Sequence, residues 1–398
     1  MPPRFLTRLG QLGVLFALLA LQATALAAPE SVYNKDNRRF HRSSGFSYAT
    51  FNVQNLYRNR PVNDSPTRGG QPKRQNWMPS SDAAYRDKLR RVASHILRVG
   101  APDIVGLQEI ENFKRSTKLK EKSVLFALVG EIKRQSAEAG EEIVYNFAHT
   151  PGDSDRRGIS NGFIYRADRV KLAEKDPNHP MLGRRPTDPY KRARKTANPK
   201  SFDAESPSSI VNDGQGRFMM SRPMLLGHFE IYKDRVGEGA PEELYVLNNH
   251  FKSNPALFQR RRSFQASLNA SIVKQLLGHN SKANIIVAGD MNADYNNDDH
   301  KVQISPLETH TPSVNGAPNL LNNLTARLNK SDRFSYHYRG NDQLLDWIYA
   351  SSDLSSRVVD IRIDHTNTKG GDEAKVSSDH DPVVARFKAF ESTPASAQ

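Results

Sequence analysis

The chain has 398 residues, 37% of them hydrophobic, enough for one large core and too few for three domains. It contains no cysteine, which excludes disulfides, thiolate-held zinc and a lipid anchor on an N-terminal cysteine. The formal net charge of +14 speaks for a polyanionic partner, either nucleic acid or an acidic membrane surface.

At the N-terminus Arg4 and Arg8 precede an apolar run from about Leu12 to Leu21, and Ala25-Leu26-Ala27 follows. This order reads as a cleaved secretory signal over residues 1–27, too short for a membrane span. The expectation is a soluble, monomeric protein, secreted or periplasmic, without stable membrane insertion. Residues 28–43 read as a linker, residues 44–390 as one domain, and residues 391–398 as a disordered tail.

The domain repeats one plan. FSYATFNVQNLY (Phe46 to Tyr57) alternates like a strand. Leu89, Val92, Ala93, Ile96 and Leu97 follow at helical spacing, and Gly100 with Pro102 marks the stop. DIVGLQEI (Asp103 to Ile110) is then a buried strand that ends on Glu109. Later, ELYVLNNHFKS (Glu243 to Ser253) runs as a strand into His250. Phe264, Leu268, Ile272 and Leu276 line the next helix, and NIIVAGDMNAD (Asn284 to Asp294) is a strand ending on Asp290 and Asn292. LLDWIYAS carries Asp346, and VSSDHDPVVARF brings Asp379 and His380 to the start of a last strand. Two sheets packed face to face, each backed by helices, would gather these polar tips along one edge.

Singly, each tip has a plain alternative. Taken alone, Asn52 reads as a turn cap and His250 as a satisfied core histidine, while Glu109 serves equally as an ion-pair partner of Lys or Arg. Asp290 at the mouth of an apolar strand, with Asn292 two residues on, suits oxygen coordination; Asp346 and the Asp379-His380 pair need partners if buried. Together they form a set of hard oxygen donors of the kind Mg²⁺, Mn²⁺ or Ca²⁺ prefers. No HExxH-like pair is present, so zinc-peptidase chemistry is disfavoured. His250 and His380 remain for proton transfer or phosphate contact, with Asp346 orienting His380. A hard metal, an oriented imidazole and a basic chain fit phosphate-ester hydrolysis.

FNVQNL, GLQEIEN, NNHFKS, GDMNAD, LLDWIYAS and SSDHDPVVA, in this order, resemble the endonuclease/exonuclease/phosphatase superfamily, and most of all its bacterial secreted nucleases. The resemblance implies an α/β fold, a four-layer α/β/β/α sandwich with two packed mixed, mostly antiparallel sheets. It further implies a metal-dependent nuclease in which activated water attacks the phosphate in line, assisted by Asp290 and the histidines. Asn52, Glu109 and Asp379 match metal ligands of that family, and Asp290 with Asn292 matches a pair that positions water or a second metal and contacts phosphate. His250 and His380 match its catalytic histidines, and Asp346 the partner of His380. Arg222 in SRPMLLGHF and Asn161 in SNGFIY resemble phosphate contacts. The chain departs from the pattern around HTPGDSDRRG, where no Glu stands to orient His250.

The stretch from about Lys171 to Met220 shows no periodicity. It holds the basic run Gly183 to Lys200, and its Arg184, Arg185, Arg192, Arg194 and Lys195 are the expected nucleic-acid contacts, with DNA favoured and RNA admitted. A sphingomyelinase or other lipid or small-molecule phosphodiesterase of the same fold is the alternative, and would call for an exposed apolar loop. A non-catalytic nucleic-acid-binding module is disfavoured, because every expected catalytic position is filled. An unrelated dinuclear phosphatase would need a GNH-type motif and a late histidine pair, and neither occurs.

Overall fold

The computed structural model describes residues 45–58, 78–112, 123–184, 195–202, 220–309, 321–369 and 376–388, apart from Gly152, Arg156 and Ser221. The expected signal, linker and tail lie outside these residues, as do Arg185, Arg192 and Arg194.

The first sheet is built around a parallel pair, β1 (Gly45–Leu56) and β2 (Ile104–Glu111). The two are joined through helix α1 (Asp82–Arg98), whose first turn is capped by Ser81 Oγ accepting from the Ala84 amide. Antiparallel neighbours flank the pair. β15 (Val383–Lys388) and β14 (Val358–Ile363) lie beyond β1, and β4 (Ile159–Arg166) and β3 (Tyr145–Ala148) beyond β2. The second sheet copies the arrangement. β8 (Glu242–His250) and β9 (Ile285–Asp290) are parallel. β7 (Met224–Ile231) and β13 (Asp346–Ser351) pair antiparallel on either side of them.

Alternation along these strands makes the layers. Phe46 and Tyr48 of β1, Phe229 of β7, and Ile286 and Ala288 of β9 fill the space between the sheets. The intervening residues, such as Ala49, Phe51 and Val53, pack on α1 and on α2 (Val124–Glu138). Ile285 and Val287 pack on α3 (Gln259–His279). Period-two side chains with apolar residues on both faces require a cover on each side of each sheet, and the result is α/β/β/α.

Polar residues also lock the two sheets. Asn248 of β8 donates to the carbonyls of Leu107 (3.1 Å) and Gly162 (2.9 Å) in the first sheet, and its Oδ1 accepts from Gln108 (2.6 Å). Each such bond has one geometry, so it fixes sheet-on-sheet register in a way apolar packing does not. Gly106 belongs to this lock, because a Cβ there would meet the Tyr48 hydroxyl oxygen at 2.5 Å.

The stretch after Lys171 is more ordered than the sequence suggested. β5 (Val170–Leu172) and β6 (Lys200–Phe202) both pair with β7. Lys200, a member of the basic run, is buried and donates to the Gly183 carbonyl at 2.6 Å. Short strands edged onto a sheet need only three residues of pattern, too few for a periodicity to register.

At the end of the sandwich away from the polar tips, Arg169 donates to Asp103 Oδ1 and to the Gly45 carbonyl, both at 2.8 Å. Asp103 Oδ2 accepts from the Ser47 amide and hydroxyl. Removing one member of a buried pair leaves an uncompensated charge. Arg169→Met is expected to lower unfolding free energy by about 3–5 kcal/mol in urea titrations, with kcat of the folded fraction unchanged. A loss under about 1 kcal/mol, the range of an exposed pair, would show that the pair is not the clamp described.

Candidate active site

Parallel pairing puts strand ends together. His250 lies opposite Asp290 across β8 and β9, and Asp290 lies opposite Asp346 across β9 and β13. Three titratable residues therefore sit in one row. Asn52 and Glu109, from the parallel pair of the other sheet, approach this row. The Asn52 amide nitrogen is 3.0 Å from Asp290 Oδ2 and 3.5 Å from Glu109 Oε1. His250 Nε2 stands 3.4 Å from Asp290 Oδ2 and 3.7 Å from Glu109 Oε1.

The backbone is bent to bring this about. Gln54, Asn55, Glu109 and Asn292 all have positive φ, at 47°, 53°, 61° and 48°. For non-glycine residues such conformations cost on the order of 1–3 kcal/mol each and gather at functional sites. Register shifts accompany them between Asn52 and Leu56 on β1 and between Leu107 and Ile110 on β2. The strand therefore does not end at Glu109, as the sequence suggested. It continues to Glu111, and a bulge turns Glu109 toward the site. The Asn55 amide, also in the left-handed region, donates to Glu109 Oε2 at 2.9 Å.

His380 enters from the segment before β15. Its Nδ1 is 2.7 Å from Asp346 Oδ2 and its Nε2 is 3.9 Å from Asp290 Oδ2. Ser335 donates to the same Asp346 oxygen at 2.7 Å, and the Tyr336 ring lies 4.7 Å from the imidazole. Asp379, beside it, is tied to Asn52 through Ser378, whose hydroxyl reaches the Asn52 carbonyl at 2.6 Å. Asn292 donates its backbone amide to Asp290 Oδ1 at 2.8 Å. Asp381 turns away and accepts from the Asn367 and Thr368 amides.

The ionisation states follow from burial and neighbours. Burial pushes the Asp290 carboxyl up to about 7, with Asp346 and Glu109 adding to the rise and His380 opposing it. Burial opposes charge on His380, but the Asp346 and Asp290 carboxylates outweigh it and hold the imidazolium well above its ordinary range. His250 moves the other way, through burial and then the Arg222 and Arg157 guanidiniums. A buried acid near 7, a charged imidazole and a neutral one are distinct proton carriers in one small volume.

The residues fit a hard divalent cation. Glu109 and Asp290 face each other across one amide, and among the described residues the nearest basic side chains to Glu109 are the neutral imidazole of His250 at 3.7 Å and the Arg157 guanidinium at 4.0 Å. Two acids with so little compensating charge call for a cation, and the donors are oxygens. Asp290, Asp346 and His380 also place one potential ligand atom each within 4.8 Å of one another.

Two expected phosphate contacts are placed otherwise. Arg222 is 4% exposed, and its nitrogens go to the carbonyls of Phe251 (2.6 Å) and His250 (3.3 Å) and to Asp155 (3.4 Å). It holds the backbone that presents His250. Asn161 donates to the carbonyls of Pro223 (2.9 Å) and Asn248 (3.3 Å) and bridges the sheets. A buried guanidinium or amide takes backbone acceptors first, because an unmet one is costly. His250 Nδ1 is buried without a hydrogen-bond partner among the described residues, so the orienting Glu missing from the sequence has no substitute there.

Sequence reasoning passed over Ser335, Tyr336, Arg157 and Lys88. Lys88 lies four residues before Val92 on the apolar stripe of α1, a signal available in the sequence. Burial lowers its pKa to about 8 against the opposing charge of Asp379, and its ammonium donates to the Ser377 carbonyl.

The arrangement defines a phosphoester hydrolase that works with a divalent metal. Residues 49–380 match the model of the Endonuclease/Exonuclease/phosphatase family, and the chain belongs to that family, whose members are metal-dependent phosphoesterases and nucleases. Among solved structures it is similar to truncated TDP2 of Caenorhabditis elegans, at 14% identity and TM-score 0.49 over 87% of this chain and 98% of that one. It is also similar to D. rerio TDP2 complexed with single-strand DNA product, at 16% identity and TM-score 0.48 over 87% and 100%. A mannosyl-6-phosphatase of Bacteroides thetaiotaomicron gives 14% identity and TM-score 0.45 over 85% and 98%. Among curated proteins none matches significantly. No described helix is long and apolar enough to cross a membrane.

The Asp346–His380 pair gives a direct test. Because the folded pKa of His380 is raised, its contribution to stability is fully present below about pH 6.5 and is lost as pH rises through the folded value. In metal-free protein, NMR titration is expected to show His380 charged through neutral pH, and Asp346→Asn to move the titration downward. Unchanged titration in the variant would sever the pair.

Proposed function

We propose that the protein is a secreted or periplasmic nuclease that hydrolyses phosphodiester bonds of DNA, with Mg²⁺ as the cation and Mn²⁺ or Ca²⁺ as substitutes. The observation that carries this reading is Asp290 Oδ2, which is flanked at 3.4 and 3.9 Å by the Nε2 atoms of two histidines in different ionisation states. A phosphate seated there would meet a charged donor, a neutral imidazole and a base together. The choice of nucleic acid rests on the +14 charge and on Arg184 and Lys195 of the basic run, which are exposed. Export rests on the N-terminal pattern of Arg4, Arg8 and the apolar run that follows.

Glu109, Asn52 and Asp379 would hold the cation, which supplies Lewis-acid charge to the phosphate when bound. Asp290, near 7 and steadied by the Asn292 amide, accepts the proton of the attacking water. His380, kept charged by Asp346, meets the negative charge that grows on the phosphate and, as the P–O bond breaks, gives its proton to the leaving alkoxide. His250 offers a neutral Nε2 on the other side of Asp290, and Arg222 fixes its backbone.

Chelation with EDTA is expected to abolish hydrolysis of plasmid DNA, and Mg²⁺ or Mn²⁺ to restore it. Glu109→Gln should bind metal more weakly while remaining folded by circular dichroism. Full activity after exhaustive chelation would remove the metal from the account. His380→Ala should cost roughly 10²- to 10⁴-fold in kcat, and adding Asp346→Ala should cost little more, since residues acting as a unit are non-additive. Multiplicative losses would mean that the two act separately. Parallel assays on RNA and sphingomyelin vesicles decide the substrate class, and activity on vesicles alone would overturn the nuclease reading.

A further inference from the structure

Beside the catalytic row stands a short hairpin, β11 (Tyr336–Tyr338) and β12 (Asn341–Gln343), which the mechanism above does not use. Its rings form a line leading out of the site. Tyr336 packs on His380 at 4.7 Å between centroids, and Tyr338 follows at 6.3 Å, within 18° of parallel to Tyr336. Tyr338 is 48% exposed. The two tyrosines are two residues apart on a strand, so they share one face.

The turn is unusual in a way that points to use. Tyr338 pairs with Asn341, leaving a two-residue loop of Arg339 and Gly340 with φ of 50° and 82°. A tight hairpin of this kind wants Asn-Gly or Gly-Gly, because both central residues are left-handed. Arginine there is strained, yet its guanidinium lies 5.1 Å from the Tyr338 ring. The hairpin thus keeps a cation and an exposed aromatic together at its tip, against local preference.

We infer that this hairpin is a nucleobase-stacking platform. Tyr338 receives the face of a base close to the scissile phosphate, and Arg339 meets the neighbouring backbone phosphate. The inference rests on the nuclease reading and extends it to substrate form, favouring single-stranded or frayed ends, whose bases are free to stack. Stacking on an aromatic ring tolerates any base, because every base has a π-face. A lipid surface is the weaker occupant, because His337, Arg339, Asn341 and Asp342 make the hairpin polar around its rings.

The test compares a single-stranded oligodeoxynucleotide with a base-free tetrahydrofuran oligomer of equal length. Tyr338→Ala is expected to lower kcat/KM on the oligonucleotide roughly 5- to 100-fold, the range of one lost stacking contact. The base-free oligomer should be cut at an unchanged rate, and Tyr338→Phe should behave as wild type. Arg339→Asn, which relieves the turn, should keep or raise the melting temperature while raising KM. Equal losses on both oligomers would make Tyr338 structural, and no loss on either would remove the platform. If wild type cuts plasmid DNA but neither oligomer, the platform is overturned and the nuclease reading stands; if it cuts none of the three, the nuclease reading itself fails. If instead it hydrolyses sphingomyelin vesicles and Tyr338→Ala impairs this, the hairpin is a membrane contact and the proposal is overturned.

Discussion

Two carboxylates facing each other across a sheet interface set the terms for this molecule. Glu109 belongs to one sheet and Asp290 to the other, and a single amide, that of Asn52, lies within hydrogen-bonding reach of both. Left to electrostatics, the two acids would push the sheets apart or take up protons. The fold resists with polar locks placed behind them: Asn248 on the carbonyls of Leu107 and Gly162, and Asn161 on that of Pro223. Sheet packing by apolar side chains alone would tolerate a slide between layers. These bonds do not, so the acids are held close enough to demand a cation.

The same constraint explains the bent backbone. A strand delivers side chains alternately to its two faces, and a regular strand end would aim Glu109 elsewhere. The bulges at Asn52–Leu56 and Leu107–Ile110, with left-handed Gln54, Asn55 and Glu109, re-aim it. Arg222 solves the same problem on the second sheet by gripping the carbonyls of His250 and Phe251. Rigid supports of this kind hold catalytic groups at working distances without help from substrate.

The repeated plan was legible because apolar alternation and helical spacing are strong over long elements: β1, α1, β2, β8, α3 and β9 stand close to where the pattern put them. That Asp290, Asp346 and His380 belong together was legible because they interrupt or adjoin apolar strands, where a charged group needs a reason. Three things were hidden. A bulge leaves no pattern, so Glu109 read as a strand end. Arg222 and Asn161 carry polar groups suited to phosphate, and only burial reveals that backbone carbonyls claim them. Tyr336 and Ser335 matter through their contacts with His380 and Asp346, which come from sheet pairing between distant segments.

The claim on which the chemistry turns is that the cation belongs to Glu109, Asn52 and Asp379, leaving Asp346 and His380 as a proton-handling pair. Anomalous diffraction from crystals grown with Mn²⁺ addresses it directly. A peak within coordination distance of a Glu109 oxygen, with the Asp346–His380 hydrogen bond intact, is the result predicted. A peak seated on His380 and Asp346, with Glu109 free of metal, would contradict the account.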